Sequence, residues 1–157
     1  MVRELKSPEA TQAAGAELGR ALVADPDRGP WLVGLEGELG AGKTTLAAGL
    51  LRALGHDGAV RSPTYTFIEP YRLAGRAIHH CDLYRINDPD EIEELGLREL
   101  VTDDALLLVE WPSRAEGRLG VFDLLVRLDY AFDTDGRRMK LIPGTPRGEA
   151  LVAALAR

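Results

Sequence analysis

The chain has one cysteine, Cys81, so no disulfide can close within it, and it lacks the thiolates that a metal cage would need. That scarcity predicts a reducing compartment, the cytoplasm. Long apolar runs are missing as well. The longest aliphatic stretch, "ALLLV", is far shorter than the ~20 residues that cross a bilayer, and the N-terminal "MVRELKSPEA" has no apolar core of the secretory kind. The expectation is a protein neither secreted nor embedded in a membrane. Positive charge is in short supply: a formal net charge of -6 sets the surface against polyanions and argues against tight, free-standing binding to nucleic acid, though not against a local basic patch. Fixed-period repeats and low-complexity tracts are absent. With 157 residues and 45% hydrophobic content, a single domain spanning 1–157 is expected, with an ordinary core and no room for a separate substrate domain.

The first expected element is a helix, capped by Ser7 with Pro8 at its first position and Ala10, Ala14, Leu18, Ala21 and Leu22 on one face. "DPDRGP" stops it, and "WLVGLE" has the length and apolarity of a buried strand. From Lys43 the pattern turns helical through Leu54. "TYTFIEPYRL" and "AIHHCDLYR" suggest a hairpin turning at Ala74 and Gly75, and "NDPDEIEELGL" a helix capped by Asp88. "ALLLVE" predicts a central strand. "DLLVRLDY" and "RRMKLIP" suggest a second hairpin turning at Asp135 and Gly136, and the tail from Glu149 is weakly helical. The order predicts an α/β fold, a P-loop NTPase-like three-layer sandwich with a parallel sheet core to which the hairpins add antiparallel strands.

Between the first strand and the second helix lies Gly37, four residues, then Gly42, Lys43 and Thr44, the full P-loop pattern. Glycines let successive backbone N–H groups converge on phosphate oxygens, and the helix start adds its positive dipole end. Candidate nucleotide contacts are therefore Gly37, Leu39, Gly40, Ala41, Gly42, Lys43, Thr44 and Thr45. Lys43 would bring a mobile point charge to the outer phosphates and Thr44 a hydroxyl to magnesium. Only three lysines stand against 16 arginines, so a Lys here is telling where a compact ammonium is needed and a planar fork would not fit. A chance glycine turn before a helix is the bland alternative, and the strand–loop–helix context argues against it.

A P-loop needs a carboxylate at the end of a buried strand to hold magnesium directly or through water, and Glu110 ends "LLLVE". Without the P-loop it would pass for an ordinary acid where a strand leaves the core. Trp111 beside it either packs or roofs the site. Asp82 also closes a strand, either to orient or deprotonate an attacking water or to cap the turn into "LYR". His79, His80 and Cys81 invite a metal reading, but alternate strand residues face opposite sides, which argues against it. GTP is disfavoured, because the only asparagine, Asn87, is followed by Asp88 and not by the lysine of a guanine-reading segment. Asp133 to Gly136 is read as turn chemistry.

Together "GELGAGKTT", "RSPTYTFIEPY", "HHCDLYRI", "DPDEIEELGL" and "LVEWP", in this order and spacing from about Trp31 to Pro112, resemble the TsaE family, small P-loop ATPases of bacterial tRNA threonylcarbamoyladenosine synthesis. P-loop kinases do not share "SPTYT", "DLYR" and "EW" jointly. The resemblance implies ATP and Mg2+ as cofactors. It also implies action with two partner proteins that form the threonylcarbamoyl-transfer enzyme, with tRNA contacted through them. Lys43 and Thr44 would grip phosphate and magnesium, Glu110 would be the acidic magnesium ligand, and Asp82 an essential acid near the γ-phosphate. Ser62 to Thr66 resembles the family's switch-like loop, in which Thr64 or Thr66 senses the γ-phosphate or simply builds the loop. The competing readings are a small-molecule kinase, with Arg114 to Arg127 as its only lid candidate, and a regulatory module that binds ATP without hydrolysing it.

Overall fold

The computed structural model describes residues 1–27, 29–115, 117–131 and 136–157. Seven strands form one sheet: β1 (Val2–Leu5), β2 (Trp31–Glu36), β3 (Ile68–Leu73), β4 (Arg76–Asp82), β5 (Ala105–Glu110), β6 (Leu124–Tyr130) and β7 (Arg137–Pro143). Their order is β1-β7-β6-β2-β5-β4-β3. The inner four, β6, β2, β5 and β4, run parallel, while β7, β1 and β3 attach antiparallel. β5 is buried along its whole length and β2 along all but Glu36, which is why both read as unbroken apolar runs.

Helices α1 (Pro8–Ala24), α2 (Lys43–Ala53) and α4 (Pro146–Leu155) cover one face. Leu18, Leu22, Leu46 and Leu50 pack there with Val33, Leu35, Val126 and Leu128 from the strands. Ser7 Oγ accepts the Ala10 N–H at 3.1 Å and caps α1; Thr145 caps α4 in the same way, with Pro146 following. α1 and α2 lie so close that a Cβ on Gly49 would sit 2.0 Å from Gln12 O. The other face is covered more thinly, by Leu83, Ile86, Ile92, Leu97 and Ala115 over Cys81, Leu107 and Val109. This second core includes α3 (Glu91–Glu94).

Several elements depart from the sequence expectation. The first element is a strand, β1, which the sequence reading passed over because "VREL" buries only Leu5 and depends on pairing with β7. β6 belongs to the parallel core, beside β2, so each hairpin contributes one parallel and one antiparallel strand. The expected long helix at "NDPDEIEELGL" shrinks to the single turn of α3, with Asp90 as its N-cap. Asp88 Oδ1 instead accepts the Asp90 N–H, and Gly96 at φ +67° ends the segment. The first hairpin begins only at Ile68, after a turn through Thr64–Thr66 and Phe67 at φ +64°. α4 starts at Pro146, ahead of Glu149. The expected Asp135 turn and the Asp133 to Gly136 match fall on 132–135, outside the described residues.

Candidate functional site

Parallel strands deliver their C-terminal ends to one edge of a sheet, and three of them end here in loops that meet. β2 leads through Gly37–Gly42 into α2, β4 ends in Asp82, and β5 ends in Glu110. Gly37 takes φ +147° with a would-be Cβ 2.4 Å from Leu128 O, so both the conformation and the space demand glycine. Gly42 at φ +103° heads α2. Unlike α1 and α4, this helix has no side-chain cap and no acid in its first turn. Its opening amides are left for something other than a side chain.

Lys43 is only 5% exposed. Its Nζ donates to Gly37 O at 2.6 Å and Glu38 O at 3.0 Å, and lies 4.4 Å from the centre of the Trp111 ring. Burial pushes its pKa below the ordinary lysine value, against the attraction of Glu110, Asp82 and Glu38. Thr44 Oγ1 donates to Glu110 Oε1 at 3.1 Å. Asp82 and Glu110 are register partners on β4 and β5, so their side chains share a face. Each is 3% exposed. Asp82 Oδ2 accepts from Ser62 Oγ and from Thr64 Oγ1 at 3.0 Å, and its Oδ1 accepts the Tyr84 N–H at 2.9 Å. Trp111 stands at φ +58°, its ring 5.2 Å from that of Tyr84.

These groups surround a cleft of about 270 Å³. Leu39, Gly40, Gly42, Lys43, Thr44 and Thr45 form one wall; Ser62, Thr64, Asp82, Tyr84, Glu110 and Trp111 form the other. A hydroxyl and a carboxylate in hydrogen-bond contact suit a hard divalent cation. Not every expected residue reaches the cleft. Ala41 is buried beneath the loop, its carbonyl taken by Arg137 Nε at 3.1 Å, and Gly37 lines a neighbouring recess with Glu38, Arg127 and Asp129. Thr66 is exposed and outside the cleft, whereas Thr64 lies within it.

Sequence reasoning placed Ser62 only in the switch-like loop, gave no role to Tyr84, weighed His80 only as a metal ligand and left Trp111 open. For His80 a positional signal was available: it stands two residues before Asp82, hence on the same face of the strand. Its Nε2 lies 2.8 Å from Glu110 Oε1. Cys81 points to the opposite core, where burial pushes its thiol up to about 12. Among the described residues, none from 114 to 127 lines the cleft: Arg114 donates to Ile86 O, Arg118 pairs with Asp90 and Arg127 with Glu36.

A parallel-cored α/β sandwich whose central strand runs through a glycine loop into a helix opening with Lys-Thr is a P-loop NTPase-like fold. The sequence model described as "Threonylcarbamoyl adenosine biosynthesis protein TsaE" matches residues 5–139, and the chain belongs to the TsaE family. It is similar to the tRNA threonylcarbamoyladenosine biosynthesis protein TsaE of Haemophilus influenzae, 46% identical over 125 residues that cover 80% of this chain and 78% of the relative. The Bacillus subtilis protein of the same name is 36% identical over 151 residues, 96% of this chain and 90% of its own. The crystal structure of Bacillus subtilis YdiB superposes with a TM-score of 0.81 at 31% identity, covering 100% of this chain and 94% of that one. No described helix is long and apolar enough to cross a membrane.

Proposed function

We propose that this protein is a magnesium-dependent ATPase serving tRNA threonylcarbamoyladenosine biosynthesis. It works in the cytoplasm with two partner proteins that carry out threonylcarbamoyl transfer, and it meets tRNA through them. Family membership supports the pathway. One observation carries the ATPase reading: an uncapped helix start, a buried ammonium and two buried carboxylates converge on a single cleft.

Bound magnesium supplies charge neutralisation on the β- and γ-phosphates. Amides of the Gly37–Thr45 loop and helix start cradle the phosphates. Lys43 donates to the outer phosphate oxygens in exchange for the two loop carbonyls it now holds. Thr44 and Glu110 hold the cation, Thr44 through its lone pairs. Asp82 orients or deprotonates the attacking water. Its bonds to Ser62 and Thr64 tie it to the switch-like loop, which favours Thr64 over Thr66 as the γ-phosphate sensor. A recess of about 80 Å³ lined by Ser7, Pro8, Thr11 and Arg137 adjoins the cleft and shares Gly40, Gly42 and Thr45 with it. Hydrolysis then changes the shape presented to the partners, a resetting step.

Reconstitution with the two partners and tRNA tests this. Wild type is expected to sustain repeated rounds of modification, while Lys43→Ala and Glu110→Ala stall. Equal performance by all three overturns the ATPase role.

A further inference from the structure

Thr44 Oγ1 and His80 Nε2 approach the same atom, Glu110 Oε1, at 3.1 and 2.8 Å. Among the described residues both hydrogen bonds to this carboxylate end on that one oxygen, which leaves Oε2 for a ligand in the cleft that Glu110 lines. His80 is fully buried, and its Nδ1 has no partner among the described residues. An ionised carboxylate only accepts, so Nε2 must carry the proton.

The strands explain why this side chain reaches Glu110. His80 pairs with Leu108 and Asp82 with Glu110, so His80 is the diagonal neighbour of Glu110 on a shared face. Thr44 gives its one proton to the carboxylate and keeps lone pairs for a cation. Alone it would leave the carboxylate free to swing, because the terminal torsion of glutamate is broad.

We propose that His80 is a positioning residue for the cation site: it commits one oxygen of Glu110 to the protein and aims the other at magnesium. The proposal rests on the ATPase reading above. It goes further in separating magnesium's contribution from that of the loop amides and Lys43, to which His80 makes no hydrogen bond among the described residues.

The test measures ADP affinity by calorimetry, once in excess EDTA and once in excess magnesium, and takes the ratio of the two Kd values. His80→Leu removes the donor, while His80→Gln carries an amide N–H out to about the reach of Nε2. His80→Leu is expected to cut the magnesium-dependent ratio roughly 10- to 100-fold while leaving the EDTA value within about twofold of wild type, and His80→Gln to restore most of the ratio. A wild-type ratio in His80→Leu, with or without a lowered Tm, overturns the positioning role. Should the leucine variant fail to fold, His80→Asn, whose amide is too short, replaces it against His80→Gln. Equal ratios for those two overturn the proposal. A wild type that binds ADP with no magnesium dependence refutes the magnesium assignment itself, and that result is distinguishable because it appears without any substitution.

Discussion

Glu110 is where function and stability should come apart, and Glu110→Gln tests how. The side chain is 3% exposed and accepts from Thr44 and His80 on one oxygen. Glutamine keeps an acceptor there but removes the charge. Hydrogen bonds to a charged group contribute about 1.5–3 kcal/mol against about 0.5–1.5 for neutral ones, so two weakened bonds cost about 2–3 kcal/mol together. Burying a carboxylate carries a penalty of several kcal/mol, and glutamine relieves it. These terms oppose one another, and glutamine also removes the charge that attracts the buried Lys43, so Glu110→Gln should destabilise the nucleotide-free protein only modestly. Glu110→Ala removes the acceptor altogether and strands the fully buried His80 N–H at about 1–3 kcal/mol, while half-buried Thr44 turns to water in the cleft. Urea unfolding should therefore rank Ala well below Gln. Magnesium-dependent ADP binding, by contrast, should be lost in both. If Gln destabilises as much as Ala, the charge and not the acceptor holds this corner, and the reasoning fails.

Other expectations follow from individual side chains. Burial lowers the Lys43 pKa, so the folded state binds fewer protons than the unfolded one between the folded pKa and the ordinary lysine value. The cost of burying the ammonium is present at neutral pH and relieved as pH rises through that window, so the Tm advantage of Lys43→Met over wild type should shrink between neutral and alkaline pH. A constant difference would refute it. ADP affinity of the wild type, which needs the ammonium, should weaken over the same window. Cys81, buried and pushed up to about 12, should resist a thiol reagent in the native protein and react only on unfolding; prompt native labelling would contradict the packing. Thr64→Val should slow ATP turnover by the reconstituted complex because it removes a donor to Asp82, while Thr66→Val should leave it within about twofold, as expected of a surface change.

What could be read along the chain was what is local. The P-loop pattern lies within eight consecutive residues, the caps of α1 and α4 act over three, and β2 and β5 announce themselves by unbroken apolarity. Lys43, Thr44, Asp82 and Glu110 were legible for the same reason: each stands at the end or start of a recognisable element. The short strand β1 was not, because it has too little apolar surface to leave a pattern and exists through its pairing with β7, and for α3 the helix was foreseen but not its single-turn length or its Asp90 cap. Direction was hidden too, since the apolar pattern of β6 does not say that it lies parallel to β2.

By itself, then, the sequence determined the fold class, the family and the strand–loop–helix unit that carries the P-loop pattern, all set by neighbouring residues. The tertiary structure alone decided that Asp82 stands opposite Glu110, that Ser62 and Thr64 reach across to Asp82, and that His80 meets the same oxygen as Thr44. Those meetings depend on the register of β4 against β5 and on how a loop folds back over them. A slip of one residue would turn every side chain of β4 to the other face.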